Sequence, residues 1–411
     1  MQDDPDALTD FRTPAFDLDN IYGRGPDDQP YMYNPDSKTF LLGKHLTGSD
    51  FKATDLPRNS ASPARALIGD PRNDENTIVS QLQGLFHRFH NRTVQDNPTL
   101  PFDQIQKLVR FHYQYVILHD FLPRVILATV LDGLKTNGEY DKKNLEFFHW
   151  KNEPFMPVEF SVAAYRFGHS MVRPGYRLND SNLLPIFETP ESKKAGFNGD
   201  LQGFREVDQK RAIDWGRFID IDKRVYNGTK EQNKKRLQFA YRIDTSLVFA
   251  LSNLPIPAVV AAPPPALPVR NLIRGWRLGL PSGQHVAQAM GVKRIDDKDI
   301  RIGKGVDKQD PNDPPIVSID KIDRVFINNC PLWTYILAEA MNNQTKVQIP
   351  VQEKVFITTP QLGPVGGRIV AEVFLGLMFG DNHSLLSEEP AWKPKQTPYF
   401  LKDFVSYALG N

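Results

Sequence analysis

With 411 residues and 40% hydrophobic content, the chain can bury a sizeable core and reads as a globular protein. Its 50 lysines and arginines balance 49 acidic residues almost completely, and a net charge of +1 excludes a field built for nucleic acid or an anionic membrane surface. The single cysteine, Cys330, excludes an intrachain disulfide and a cysteine-based structural zinc site, and it fits a reducing, cytoplasmic compartment.

The chain opens on Met-Gln-Asp-Asp-Pro, without the basic and apolar regions of a secretory signal, and no apolar run approaches the roughly 20 residues that span a bilayer. A soluble protein is expected. Between Asn76 and Val94 the apolar residues Ile78, Leu82, Leu85, Phe86 and Phe89 recur every three or four positions, which predicts a helix beginning just after Arg72. A second helix is predicted from a cap at Asp103 through Ile105, Leu108, Val109, Val116 and Ile117, with Pro123 as its stop. The third runs from Pro157 to Val172, bounded by Pro174. It places Val162, Tyr165, His169 and Val172 on one face that can lie against a flat apolar ligand. Residues 254–268 carry six prolines and read as a connector, because proline forbids a regular helix there. Gly366 to Phe379 is a buried helix carrying Ile369, Val370, Val373, Phe374 and Leu377. Strand signals are few and short, so the expected class is mainly α: one large helical domain over 1–411 with long irregular connections.

Two segments carry chemistry. A histidine on an apolar helix face is usually a satisfied core residue, and an arginine ahead of a helix is usually a solvated charge. What lifts both is their setting. His169 lies in Arg166-Phe167-Gly168-His169-Ser170-Met171, where Gly168 leaves room beside the imidazole, and Arg72 lies in Gly69-Asp70-Pro71-Arg72-Asn73-Asp74-Glu75. As a pair these motifs resemble those of the animal-type haem peroxidases of the peroxidase–cyclooxygenase superfamily, most closely their bacterial members, over most of the chain.

That resemblance implies haem b with His169 as the iron ligand. It also implies Arg72 on the opposite haem face, stabilising negative charge as a peroxide O–O bond breaks. Asn271, in Asn271-Leu272-Ile273-Arg274, matches the residue that accepts a hydrogen bond from the ligand imidazole, while Arg274 and Arg166 match partners of the haem propionates. Glu75 matches a glutamate that some mammalian relatives ester-link to haem, and haem held without a covalent link suits the sequence equally. Thr13, Asp17 and Asp19, ahead of Ile21-Tyr22-Gly23, resemble the family's calcium loop, in which alternating oxygens surround a hard cation.

A family segment carrying a distal histidine in a Gln-x-x-Asp-His-Asp type motif precedes that loop and has no counterpart here. The chain is then either a truncated form or a haem protein with weakened peroxide chemistry, since positioned acid–base groups are commonly worth roughly 100- to 10,000-fold. The implied function is a peroxidase-type oxidoreductase, linked to oxidative stress, that reduces hydrogen peroxide or organic hydroperoxides with a small-molecule or lipid electron donor. The alternatives are a cyclooxygenase-like fatty-acid dioxygenase and a non-catalytic haem-binding or scaffold protein. The dioxygenase branch needs a tyrosine three residues before the histidine, where this chain has Arg166.

Overall fold

The Asn76 side chain accepts from Ile78 N at 2.8 Å and so caps the first long helix, α1 (Thr77–Asp96). Its apolar stripe turns inward as the sequence period requires, with Leu85 and Phe89 almost fully buried. The chain is described by a computed structural model that covers residues 12–49, 52–197, 199–225, 228–255, 263–305, 311, 313–349 and 355–410. The Pro-rich connector falls partly outside these residues, at 256–262.

Helix α2 (Phe102–Val116) follows after a short turn, with Asp103 in its first turn rather than at the cap, where its charge complements the helix dipole. Pro123 does not stop it. A π turn (Ile117–Phe121) leads straight into Leu122–Val125. That turn breaks the i→i−4 ladder just upstream, so Pro123 stands where its missing N–H costs no bond. The Gln361 amide donates to the carbonyls of Pro123 and Arg124, both at 3.0 Å, closing that end.

The predicted third helix is broken. A π turn (Glu159–Ala163) gives way at Ala163 to a 3-10 turn (Ala164–Phe167), and only the four residues of α3 (Gly168–Met171) are regular α-helix. The proposed common face is lost as a result, with Val162 buried and Tyr165 45% exposed. Helix α4 (Leu267–Arg277) starts inside the stretch read as connector, because Pro268 lies in its first turn, where proline is tolerated. Helices α5 (Gly283–Ala289), α6 (Leu332–Asn342), α7 (Pro364–Phe379) and α8 (Leu401–Leu409) complete the helical body.

Helix α7 is the centre of the core, and nearly every residue from Val365 to Met378 is buried. Its first turn is capped by the buried Glu339 of α6, whose carboxylate accepts from Val365 N at 3.0 Å and Gly366 N at 2.9 Å. Farther along, the Glu372 carboxylate accepts from the backbone N–H groups of Glu146, Phe147 and Phe148 and pins that loop to the helix. Helix α8 lies on α1, where the Phe89 and Phe404 rings stack with centroids 3.9 Å apart. Strands form only two-stranded antiparallel pairs among the described residues, the longest being Gln344–Gln348 with Phe356–Pro360. One buried hydrophobic cluster runs from Leu18 to Ala408, and the architecture is mainly α. Among the described residues no helix is long and apolar enough to cross a membrane.

Candidate functional site

Three elements bring His169, Arg166 and Asn271 together. The broken helix carries His169 on α3 and Arg166 on the preceding 3-10 turn, and α4 brings Asn271 across to them. The turn is anchored by Trp333 of α6, whose indole N–H donates to the Arg166 carbonyl at 3.2 Å. Arg166 also reaches back, donating from Nε to the Ser161 carbonyl at 3.1 Å.

At the centre, Asn271 Nδ2 lies 2.9 Å from His169 Nδ1, and Arg166 Nη1 donates to Asn271 Oδ1 at 2.8 Å. The guanidinium therefore fixes the amide, because Oδ1 is already the acceptor for Arg166 and only the NH₂ is left to face the imidazole. Nδ1 is then an acceptor and the ring proton sits on Nε2. This corrects the sequence expectation, in which Asn271 accepts from the imidazole rather than donating to it. The sequence pairs the two residues, but Arg166 decides which way the amide points. Burial, followed by the neighbouring Arg166 charge, lowers the His169 pKa from 6.5 to about 4, so the ring is neutral at pH 7. Among the described residues Nε2 has no protein partner.

Space lies beside His169, and a second cation lies near Arg166. A Cβ built on Gly168 would meet nothing within 4 Å. Arg166 is lowered in pKa first by burial and then by the repulsion of Arg274, so a second cation stands near the guanidinium that holds Asn271. Tyr165, the aromatic residue nearest the dioxygenase pattern, stacks on Phe160 at 4.9 Å.

The Arg72 turn is built differently. Asp70 caps a 3-10 turn (Pro71–Asp74), and its carboxylate takes both the Arg72 backbone N–H and the guanidinium, the latter at 2.7 Å from Nη2. Burial alone would raise the Asp70 pKa, and the Arg72 hydrogen bonds and charge bring it below the usual carboxylate range. The Arg72 side chain is 48% exposed, and Glu75 is exposed as well. Behind the turn lies a group that the sequence reading did not single out. Arg58, 5% exposed, bridges Asp55 and Asp74, with its Nη1 2.7 Å from Asp74 Oδ2 and its Nε 2.8 Å from Asp55 Oδ2. Loop arginines in sequence look like solvated charges, so nothing local marks this one as buried.

The candidate calcium residues are satisfied by the chain itself. Thr13 Oγ1 donates to Asp17 Oδ2 at 3.2 Å, Asp17 Oδ1 accepts from Asp19 N at 3.0 Å, and the Arg12 guanidinium is paired with Asp19 and reaches the Gly69 carbonyl at 2.7 Å. Among the described residues no three His, Cys, Asp or Glu side chains form a group that could hold a metal. With a guanidinium standing on Asp19, this arrangement does not fit a divalent cation.

Comparison with known proteins bears on the same segments. A family model described as animal haem peroxidase matches residues 3–214, a span that contains Arg72 and His169 but not Asn271 or Arg274. The human peroxidasin homolog is 34% identical over 199 residues, covering 42% of this chain and 12% of that protein. Rat thyroid peroxidase is 24% identical over 204 residues, covering 45% of this chain and 21% of that protein. The chain thus matches only a small part of the length of either relative. Among solved structures, peroxidase A from Dictyostelium discoideum aligns over 91% of this chain and 64% of its own, with 15% identity and a TM-score of 0.49.

Proposed function

Since the chain belongs to the animal haem peroxidase family, we propose that it is a haem-dependent, peroxidase-type oxidoreductase, with His169 as iron ligand and Arg166 and Arg274 as partners of the haem carboxylates. The observation that carries this reading is the neutral His169 imidazole, tethered through Nδ1 to the buried Asn271, with open space at Gly168, Arg166 beside it and Arg274 near Arg166. These residues fit the group. Haem, when bound, supplies the redox chemistry that takes electrons from a small donor to hydrogen peroxide or an organic hydroperoxide.

The chain's own residues do the positioning. A ligand nitrogen needs its opposite ring N–H held by an acceptor, and Asn271 can offer Oδ1 only after Arg166 has left it. A carboxylate near Arg166 would draw the guanidinium away and release the amide to turn. Arg72 carries the positive charge assigned to the far side of the site, and Asp70 orients it by chelation.

The test is a haemin titration of the full chain followed by absorbance. A sharpened Soret band is expected, with His169→Ala abolishing it and Asn271→Ala weakening it, together with peroxide-dependent oxidation of an aromatic dye well above the rate of free haemin. A spectrum unchanged by His169→Ala sinks the proposal.

A further inference from the structure

Away from His169, α1, α2 and α8 and the segment 392–399 enclose a cleft of about 480 Å³. We propose that this cleft binds a small, uncharged planar aromatic molecule carrying an O–H or N–H donor, of the phenol or arylamine class, with His112 Nε2 as the acceptor. The site is argued from its own residues and stands whether or not His169 holds haem.

The floor is the His112 imidazole on α2. Its Nδ1 is 2.7 Å from the Leu108 carbonyl, one turn back on the same helix, so Nδ1 carries the proton and Nε2 is left as an acceptor. Burial lowers the His112 pKa, which keeps the ring neutral and Nε2 open at pH 7. Three rings stand edge-on to it: Trp392 at 4.8 Å, Tyr399 at 5.2 Å and Phe89 at 5.4 Å. Tyr407 closes a further wall, its hydroxyl donating to Asp96 at 2.5 Å and its ring covered by the Arg92 guanidinium at 4.4 Å. Tyr407 is thereby held in one orientation, and an aromatic wall that is already ordered loses little entropy when a ligand enters.

Size and charge narrow the class. The volume lies within the range of small-molecule sites, and rings on several sides favour a flat ligand over a globular aliphatic one. Asp96 and Asp403 are matched on the rim by Lys393 and Lys395, so the mouth presents no net charge and selects neither an anion nor a cation. What remains specific is His112 Nε2, on a half-buried ring and engaged in no hydrogen bond among the described residues, and that calls for a ligand O–H or N–H.

The test uses isothermal titration calorimetry on the full chain with p-cresol and with 4-methylanisole, which has the same ring but no O–H. Saturable one-to-one binding of p-cresol is expected, with the anisole about tenfold weaker because it offers Nε2 no donor. His112→Phe keeps an aromatic floor and should bring the two ligands to the same weak affinity. Ser406→Trp, which fills the mouth from α8, should abolish both and decides the matter if His112→Phe does not fold. Absence of saturable p-cresol binding, equal affinities in the unmodified chain, or p-cresol binding unaffected by these substitutions would overturn the proposal.

Discussion

Arg58 shows how much of the Arg72 turn depends on a side chain far from any motif. Its guanidinium satisfies two buried carboxylates at once, and burial raises the Asp74 pKa even with Arg58 beside it, so removing the cation strands two desolvated acids. Arg58→Met is expected to destabilise the fold by about 3–5 kcal/mol, read as a fall in the urea midpoint with an unchanged slope. A change below about 1 kcal/mol would mean that the pair is solvated and worth only what surface pairs are worth. Arg166 makes a second prediction at this scale. In the haem-free chain it holds Asn271 Oδ1, and the His169 proton must sit on Nε2. Arg166→Leu frees the amide to turn, so the ¹⁵N shifts of the His169 ring should move from the Nε2–H tautomer toward a population with Nδ1–H. Identical ring shifts in the two proteins would show that the guanidinium does not set the tautomer.

At the scale of elements, the contact between α5 and α6 has no slack. A Cβ at Gly283 would fall 2.0 Å from the Tyr335 ring, and Tyr335 is fully buried, with its hydroxyl accepting from Ile295 N at 3.0 Å. Neither partner can retreat without breaking that bond. Gly283→Ala should therefore cost about 1–3 kcal/mol and lower the Tm, whereas the same change in an open helix would stabilise it. The helices that could be read from sequence are those with a one-sided stripe or clear stops. For α1 the apolar spacing and the Asn76 cap agree, and for α7 the proline start and unbroken apolar run do. Helix α6 carries no such signature, because Leu332, Trp333 and the residues from Tyr335 to Ala340 are buried all round and leave no amphipathic period. The segment bearing His169 departs from its sequence period for the opposite reason. Its spacing of three and four is genuine, but a π turn inserts an extra residue per ring and rotates everything downstream, a tertiary adjustment that no local period encodes. Likewise the proximity of His169, Asn271 and Arg166 was legible from their motifs, while the direction of the amide depends on a competition between two hydrogen-bond partners that exists only in the folded chain.

Over the whole molecule, burial of neutral imidazoles sets the response to pH. His87, stacked on Phe40 at 4.3 Å, is held at about 3 by burial and then by His90, and His90, between the Tyr22 hydroxyl and the Lys38 carbonyl, is held at about 4 chiefly by burial. His169 is held at about 4, and His112 and His119 shift in the same direction. Each folded pKa lies below the unfolded value near 6.5, so as the pH falls through 6.5 the unfolded chain takes up protons that the folded chain refuses. Stability then drops by up to about 1.4 kcal/mol per pH unit for each such group, until the folded pKa is reached. Glu339 works the other way. Burial raises its folded pKa from 4.5 to about 7, so between pH 7 and 4.5 the folded chain binds the proton more readily and gains stability on acidification. Burial also raises Asp17, Asp74 and Asp244, which act in the same sense as Glu339, and the five histidines outweigh them to leave a net loss. The urea midpoint at constant ionic strength is expected to fall from pH 6.5 to 4.5, and Glu339→Gln, which removes one opposing group, should make that fall steeper. A midpoint that stays level over this interval would show that these histidines titrate as freely in the folded chain as in the unfolded one, and a slope indifferent to Glu339→Gln would show the same of Glu339.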